Sequence, residues 1–277
     1  MNCSDLGLES RIGYCEGMKV AAYQAPLLAT GSMYALGLIQ KQGRKCEAEG
    51  ITVLCCPEAI LGGLADYSEN PNRFALRSDD GQLASAITPL ASDTVTSIIG
   101  FSELTSDGTL YNAAVIFQSG RVVGLYRKVH PAIRRSVYAA GSETPVFRVG
   151  ELMFGVVICN DSNYPELARL MTAQGAAALF VPTNNGLPNE RASPKLNAAA
   201  RDADIALAVA NRIWVIRADV GGQNGKLTSY GSSEIVDPDG NVMRRARPQS
   251  TDMLVAELKM GCAPGPDRTH RKTLRAT

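Results

Sequence analysis

Three apolar runs end on a side chain that can do chemistry. VLCCPEAILGG carries Glu58 just past a short apolar stretch, VVGLYRKVHP carries Lys128 past a second, and FGVVICND ends a third on Cys159. In layered α/β folds, strand ends converge on one rim, and ligand sites form there. A carboxylate, an ammonium and a thiol gathered at one rim make a nucleophilic site. Taken singly, each has an ordinary reading: Glu58 as a cap or surface acid, Lys128 as a solvated charge, Cys159 as a small core residue. Their shared placement is what argues for chemistry.

The surrounding pattern supplies the framework. MKVAAYQA (18–25) reads as a strand, and Leu36, Ile39 and Cys46 give residues 32–48 a helical spacing. ITVLCC (51–56) reads as a buried strand, with Cys55 and Cys56 as small strand residues. A helix is expected after Asp79 or Asp80, disturbed by Pro89, and TVTSIIGFSEL is a strand. LYNAAVIFQSGRVVGLYRK reads as a hairpin turning at Ser119 and Gly120. LMFGVVIC is a buried run, 164–174 is helical, GAAALFVPT is a strand and 192–210 is an Ala-rich helix. RIWVIRADV, with Trp214 in the core, YGSSEIVDPDGNVM with its DPDG turn, and DMLVAEL complete the strands. Strands and helices alternate with inserted hairpins, which predicts an α/β layered fold less regular than a doubly wound sheet.

The 277 residues carry a formal net charge of +1 and are 45% hydrophobic. Near-neutral charge argues against a nucleic-acid or basic membrane footprint and for a small-molecule partner. No run of 18 apolar residues is present, so no transmembrane helix is expected. The seven cysteines and two histidines show no metal-site spacing, and the odd cysteine count fits a reduced, cytoplasmic protein. One domain is expected over 18–258, with residues 1–17 as an N-terminal extension, Met18 as a candidate native start, and 259–277 as a loose tail.

CPEAILGG, YRKVHP and VVICNDSNYPEL, in that order, resemble the signatures of the nitrilase superfamily of carbon–nitrogen hydrolases. The resemblance runs from about residue 18 to 258. It implies a four-layer α-β-β-α sandwich, self-association into dimers or larger assemblies, and no metal or organic cofactor. It also implies a triad: Glu58 as general base, Lys128 as electrostatic stabiliser and Cys159 as nucleophile. The physical chemistry agrees. An amide carbon is a reluctant electrophile, a thiol is mostly protonated at neutral pH, and a nearby carboxylate must take its proton. Lys128 and the backbone N–H of Asn160 are the natural donors to the developing oxyanion, and a helix beginning after Cys159 would add its positive end. The reaction this implies is hydrolysis of a small linear amide through a thioester, with nitriles and N-carbamoyl compounds as the nearest alternatives. A non-catalytic binding or assembly member of the same fold is the competing reading.

The pattern departs from the superfamily in places. A second glutamate is expected midway along the loop after Lys128, near Arg134, Arg135 and Ser136. Here the loop's carboxylate is Glu143, 15 residues after Lys128, and it reads as part of the turn before the next strand. Asn163 stands where several carbamoyl amino-acid enzymes carry arginine, which weakens an amino-acid substrate. VPTNNGLP should reach the same rim, making Thr183, Asn184 and Asn185 candidates for substrate contact, with His130 a further one. The alternative for these is a self-bonded loop and a structural histidine. Asp161 is read as bracing the turn by capping, Tyr164 and Pro165 as orienting the next helix, and Arg201 with Asp202 as a structural pair or subunit contact.

Overall fold

The computed structural model describes residues 17–132 and 136–259. Nearly all of the expected extension and tail, and both Arg134 and Arg135, lie outside the described residues. The strands, in chain order, are β1 (Met18–Pro26), β2 (Val53–Cys55), β3 (Thr96–Leu104), β4 (Leu110–Gln118), β5 (Arg121–Arg127), β6 (Val146–Val149), β7 (Leu152–Val156) and β8 (Ala178–Pro182). They continue with β9 (Leu187–Pro188), β10 (Trp214–Ala218), β11 (Val220–Asn224), β12 (Leu227–Ser229), β13 (Glu234–Val236), β14 (Val242–Arg245) and β15 (Asp252–Leu258). The helices are α1 (Ala35–Glu49), α2 (Gln82–Ile87), α3 (Pro165–Ala173) and α4 (Pro194–Asn211).

Two sheets form. One runs β5-β4-β3-β2-β1-β11-β12-β9, with β15 antiparallel to β1; the other runs β14-β13-β10-β8-β7-β6. Side-chain alternation explains the layering. From β1, Val20 and Ala22 pack with Phe154, Val156, Phe180 and Val215 of the second sheet. Their neighbours Ala21 and Tyr23 point the other way, onto Ala35, Ile39 and Cys46 of α1. Leu167 and Met171 of α3 and Leu207 of α4 cover the far side of the second sheet. The result is the four-layer α-β-β-α sandwich. Phe154 and Phe180 meet edge to face at 5.2 Å between centroids, and burying each such side chain contributes about 1.5–3 kcal/mol. Because both faces of the central strands are covered, they read as near-continuous apolar runs; Cys55 and Cys56 are buried on opposite faces.

Most elements fall where the sequence places them, including the Ser119–Gly120 turn, whose residues take φ of 48° and 71°. Two differ. The run LMFGVVIC leaves the sheet at Val156, and β6 adds a hairpin before it. Arg201 does not turn to Asp202. Consecutive helical residues project about 100° apart, so Asp202 is exposed, while Arg201 donates through Nη2 to the Gly231 carbonyl (3.1 Å) and lies 3.8 Å from Glu234. Among the described residues, no helix is long and apolar enough to cross a membrane.

One glycine fits the sheet to the rim. A Cβ on Gly100 of β3 would sit 2.4 Å from the Pro57 carbonyl oxygen and 2.7 Å from Glu58 Cα. Replacing Gly100 with alanine should therefore push the Glu58 segment off its strand and cost about 1–3 kcal/mol. Denaturant unfolding of the variant checks this; an unchanged midpoint and slope would contradict it.

Candidate active site

Two of the three candidate side chains are fixed by backbone bonds just past a strand end, and the third sits on a short turn. Glu58 follows β2, where its N–H donates to the Thr183 carbonyl (3.3 Å) and Cys56 N–H donates to the Ile98 carbonyl (2.8 Å). Lys128 follows β5, with its N–H on the Asn112 carbonyl and its own carbonyl accepting from Gly141 N–H, both at 2.8 Å. Cys159 opens a short 3₁₀ turn, Cys159–Asn163, and takes φ of 48°. That left-handed conformation is uncommon for a residue with a Cβ and is seen at sites where the surrounding structure holds it.

The side chains meet in one cavity of about 240 Å³ that Glu58, Lys128 and Cys159 all line. Glu58 Oε1 accepts from Lys128 Nζ at 2.6 Å and Asn112 Nδ2 at 2.7 Å, and Oε2 accepts from Asn184 N–H at 2.9 Å. Glu58 and Lys128 are 2% and 4% exposed, so this ion pair sits almost wholly out of water. Burial alone would lower the Lys128 pKa; the opposing charges, Glu58 foremost, outweigh it and hold the ammonium above its ordinary value. Burial, and next the Glu58 charge, push the Cys159 thiol up to about 12, against the pull of Lys128 and Arg217. The site can therefore hold a neutral thiol beside a carboxylate, with a fixed positive charge next to both.

Residues 19–263 match the family described as carbon-nitrogen hydrolase. The chain belongs to that family. A hydrolase encoded in the pqqF 5′ region of Pseudomonas protegens is 30% identical over 233 residues, 81% of this chain and 77% of that protein. The N-carbamoylputrescine amidase of Oryza sativa subsp. japonica is 29% identical over 58% of each chain. Among solved structures, an amidase of the nitrilase superfamily from Nesterenkonia AN1 superposes with a TM-score of 0.74 at 21% identity, covering 88% of this chain and 91% of that one.

In this member of the carbon–nitrogen hydrolase family the other candidate residues separate into two groups. Asn184 and Asn185 line the cavity. Asn184 also clamps Glu58, its Nδ2 donating to the Glu58 carbonyl at 3.2 Å, and Asn185 is held by Asp219 (2.9 Å) and Ser232 (3.1 Å). Thr183 and His130 do not line it. The Thr183 hydroxyl points back into the protein and accepts from Arg217 Nη1 at 2.7 Å. The His130 ring stacks on Tyr164 at 3.5 Å between centroids. Asn160 Nδ2 donates to the His130 carbonyl (3.1 Å), and Asn163 Nδ2 to Asn160 Oδ1 (3.1 Å).

Asp161 does more than cap. Its buried carboxylate accepts from Ile158 N–H (3.1 Å), Tyr126 OH (2.8 Å) and His130 N–H (2.7 Å), tying the end of β5 to the turn that bears Cys159. The helix expected over 164–174 runs from Pro165 to Ala173, a 3₁₀ turn over Cys159–Asn163 separates it from the thiol, and proline suits its first position.

Glu143 lies away from this cavity, in a separate hollow with Arg127 and Tyr111. The second carboxylate lining the cavity among the described residues is Asp66, from the loop after Glu58. Its Oδ1 accepts from Ser136 Oγ (3.0 Å) and Val137 N–H (2.8 Å), which ties it to the loop where the second glutamate was expected. Asp66 was not legible because its loop has no periodicity. Asn112 left a signal, a lone amide inside the apolar strand LYNAAVIF.

The electrostatics give a direct test. Replacing Glu58 with glutamine removes the charge that opposes thiolate formation, so the pH midpoint for alkylation of Cys159 by iodoacetamide should move down. Mass spectrometry of the modified peptide across a pH series reads it; an unchanged or higher midpoint would contradict the coupling.

Proposed function

We propose that this chain is a cysteine-dependent amidohydrolase that cleaves a small linear amide through a thioester. The observation that carries the reading is the convergence of a buried carboxylate–ammonium pair and a thiol on one small cavity. The elevated thiol keeps its proton until substrate arrives. Glu58 then takes that proton as sulfur attacks the carbonyl carbon. The oxyanion is met by Lys128 and by the Asn160 backbone N–H, whose side chain is anchored on His130. Collapse breaks the C–N bond, and ammonia leaves with the proton from Glu58. Glu58 then draws a proton from water, the hydroxide adds to the thioester, and the acid is released with the thiol restored. No step calls on a metal or organic cofactor.

An N-carbamoyl amine is the second reading, favoured by Asp66, whose carboxylate on the cavity wall would take the cationic end of such a substrate. Self-association through the outer helices is also proposed, supported by Leu170 on α3 and Val209 on α4, which are 44% and 52% exposed.

Ammonia release from a panel of amides, nitriles and carbamoyl amines tests the reaction. Cys159→Ala should lower it by more than about 10³-fold; release that persists in the variant would exclude the mechanism. No release from any compound, with no adduct on Cys159 from a thiol-directed electrophile, would favour the binding-module reading. Asp66→Asn should cost about tenfold in kcat/KM on a substrate with a terminal ammonium, the loss of one charged hydrogen bond. It should leave an uncharged amide nearly unaffected; equal losses on both would remove Asp66 from substrate selection.

A further inference from the structure

Beneath the cavity lies a fully buried cation that the proposed reaction does not use. Arg217 sits in the middle of an apolar strand, β10, at 1% exposure. Its Nε and Nη2 fork onto the carboxylate of Asp204 from α4, which is itself buried. Charge balance needs no more than that. The guanidinium nonetheless reaches two further elements. Nη2 donates to Ser162 Oγ at 2.8 Å, and Ser162 Oγ donates onward to the Cys159 carbonyl at 2.9 Å. Nη1 donates to Thr183 Oγ1 at 2.7 Å. Thr183 ends at the carbonyl that accepts from Glu58 N–H, and the next residue supplies the N–H on Glu58 Oε2.

We propose that Arg217 is a positioning residue for the nucleophile. Through Ser162 it holds the left-handed turn from which Cys159 projects, and through Thr183 it registers that turn against the segment that holds Glu58. The proposal rests on the reading of Cys159 and Glu58 as nucleophile and base. A planar fork with donors on both sides suits the task, and a lysine point charge does not. Left-handed backbone at a residue with a Cβ persists only where neighbours over-determine it; the Ser162 bond to the Cys159 carbonyl fixes the peptide that follows the strained φ. Arg217 also adds a second positive charge, beyond Lys128, that favours the thiolate.

Removing Arg217 alone would strand the Asp204 charge and unfold the chain for reasons unrelated to catalysis. The test therefore exchanges the pair for apolar residues, Arg217→Met with Asp204→Leu, a replacement that leaves buried pairs near neutral in stability. Two quantities are read: kcat/KM for amide hydrolysis, and the pH midpoint of Cys159 alkylation, which needs no turnover. The double variant should melt close to the parent, lose at least about tenfold in kcat/KM through kcat, as small misplacements of reacting groups do, and alkylate with a midpoint moved to higher pH. Ser162→Ala, which keeps the arginine, should lower kcat and leave the midpoint in place. A folded double variant whose kcat/KM stays within about twofold of the parent and whose midpoint is unmoved would overturn the proposal. If the double variant does not fold, unchanged kinetics in Ser162→Ala overturn it alone. A parent protein that hydrolyses no amide sinks the functional reading instead, and the alkylation midpoint still decides whether Arg217 acts on Cys159.

Discussion

A carboxylate and an ammonium held 2.6 Å apart with almost no water contact set the terms for the rest of the molecule. Desolvating both charges is expensive, and their attraction offsets that only when the remaining donors and acceptors are also matched. The fold supplies the matches. Asn112 shares Glu58 Oε1 with Lys128, and the Asn184 peptide takes Oε2. These groups come from four separate segments, so the pair can exist only if β2, β5 and β8 end, and the antiparallel β4 begins, at one rim. The two-sheet sandwich brings them there, and Gly100 lets the Glu58 backbone lie close enough to β3.

The same pair governs the thiol. Burial first, and the Glu58 charge next, favour the protonated sulfur, and the positive charges on Lys128 and Arg217 only partly offset this. A thiol held neutral resists unwanted alkylation and oxidation, and in the proposed reaction it passes its proton to Glu58 only when a substrate carbon is there to receive the sulfur. Position then matters more than intrinsic reactivity. Asp161 ties the turn to the end of β5, Ser162 holds the Cys159 carbonyl, and both are buried.

The sequence reveals the strand ends more clearly than the side chains behind them. Glu58, Lys128 and Cys159 were legible because each breaks an apolar run, and a polar residue at that place needs a reason. VPTNNGLP was legible as a rim segment, but which side chains face the cavity depends on partners far along the chain. Thr183 turns inward because Arg217, 34 residues later, fills the space behind it. His130 leaves the cavity because Tyr164 offers its ring a stacking face. A charge inside the short strand WVIRA announces a buried partner, yet nothing local says that the partner is Asp204 on the preceding helix. Asp66 sits on a three-residue 3₁₀ turn, Ala65–Tyr67, too short for periodicity to carry information.

The central claim is that the Cys159 sulfur becomes covalently bonded to the acyl group of an amide. Acid-quenching the protein during turnover of a cleaved amide, then mapping its peptides by mass, tests this most directly. The account predicts an acyl adduct on the peptide containing Cys159, absent when that residue is alanine. Steady turnover with the Cys159 peptide unmodified at every time point, or an adduct on another residue, would contradict it.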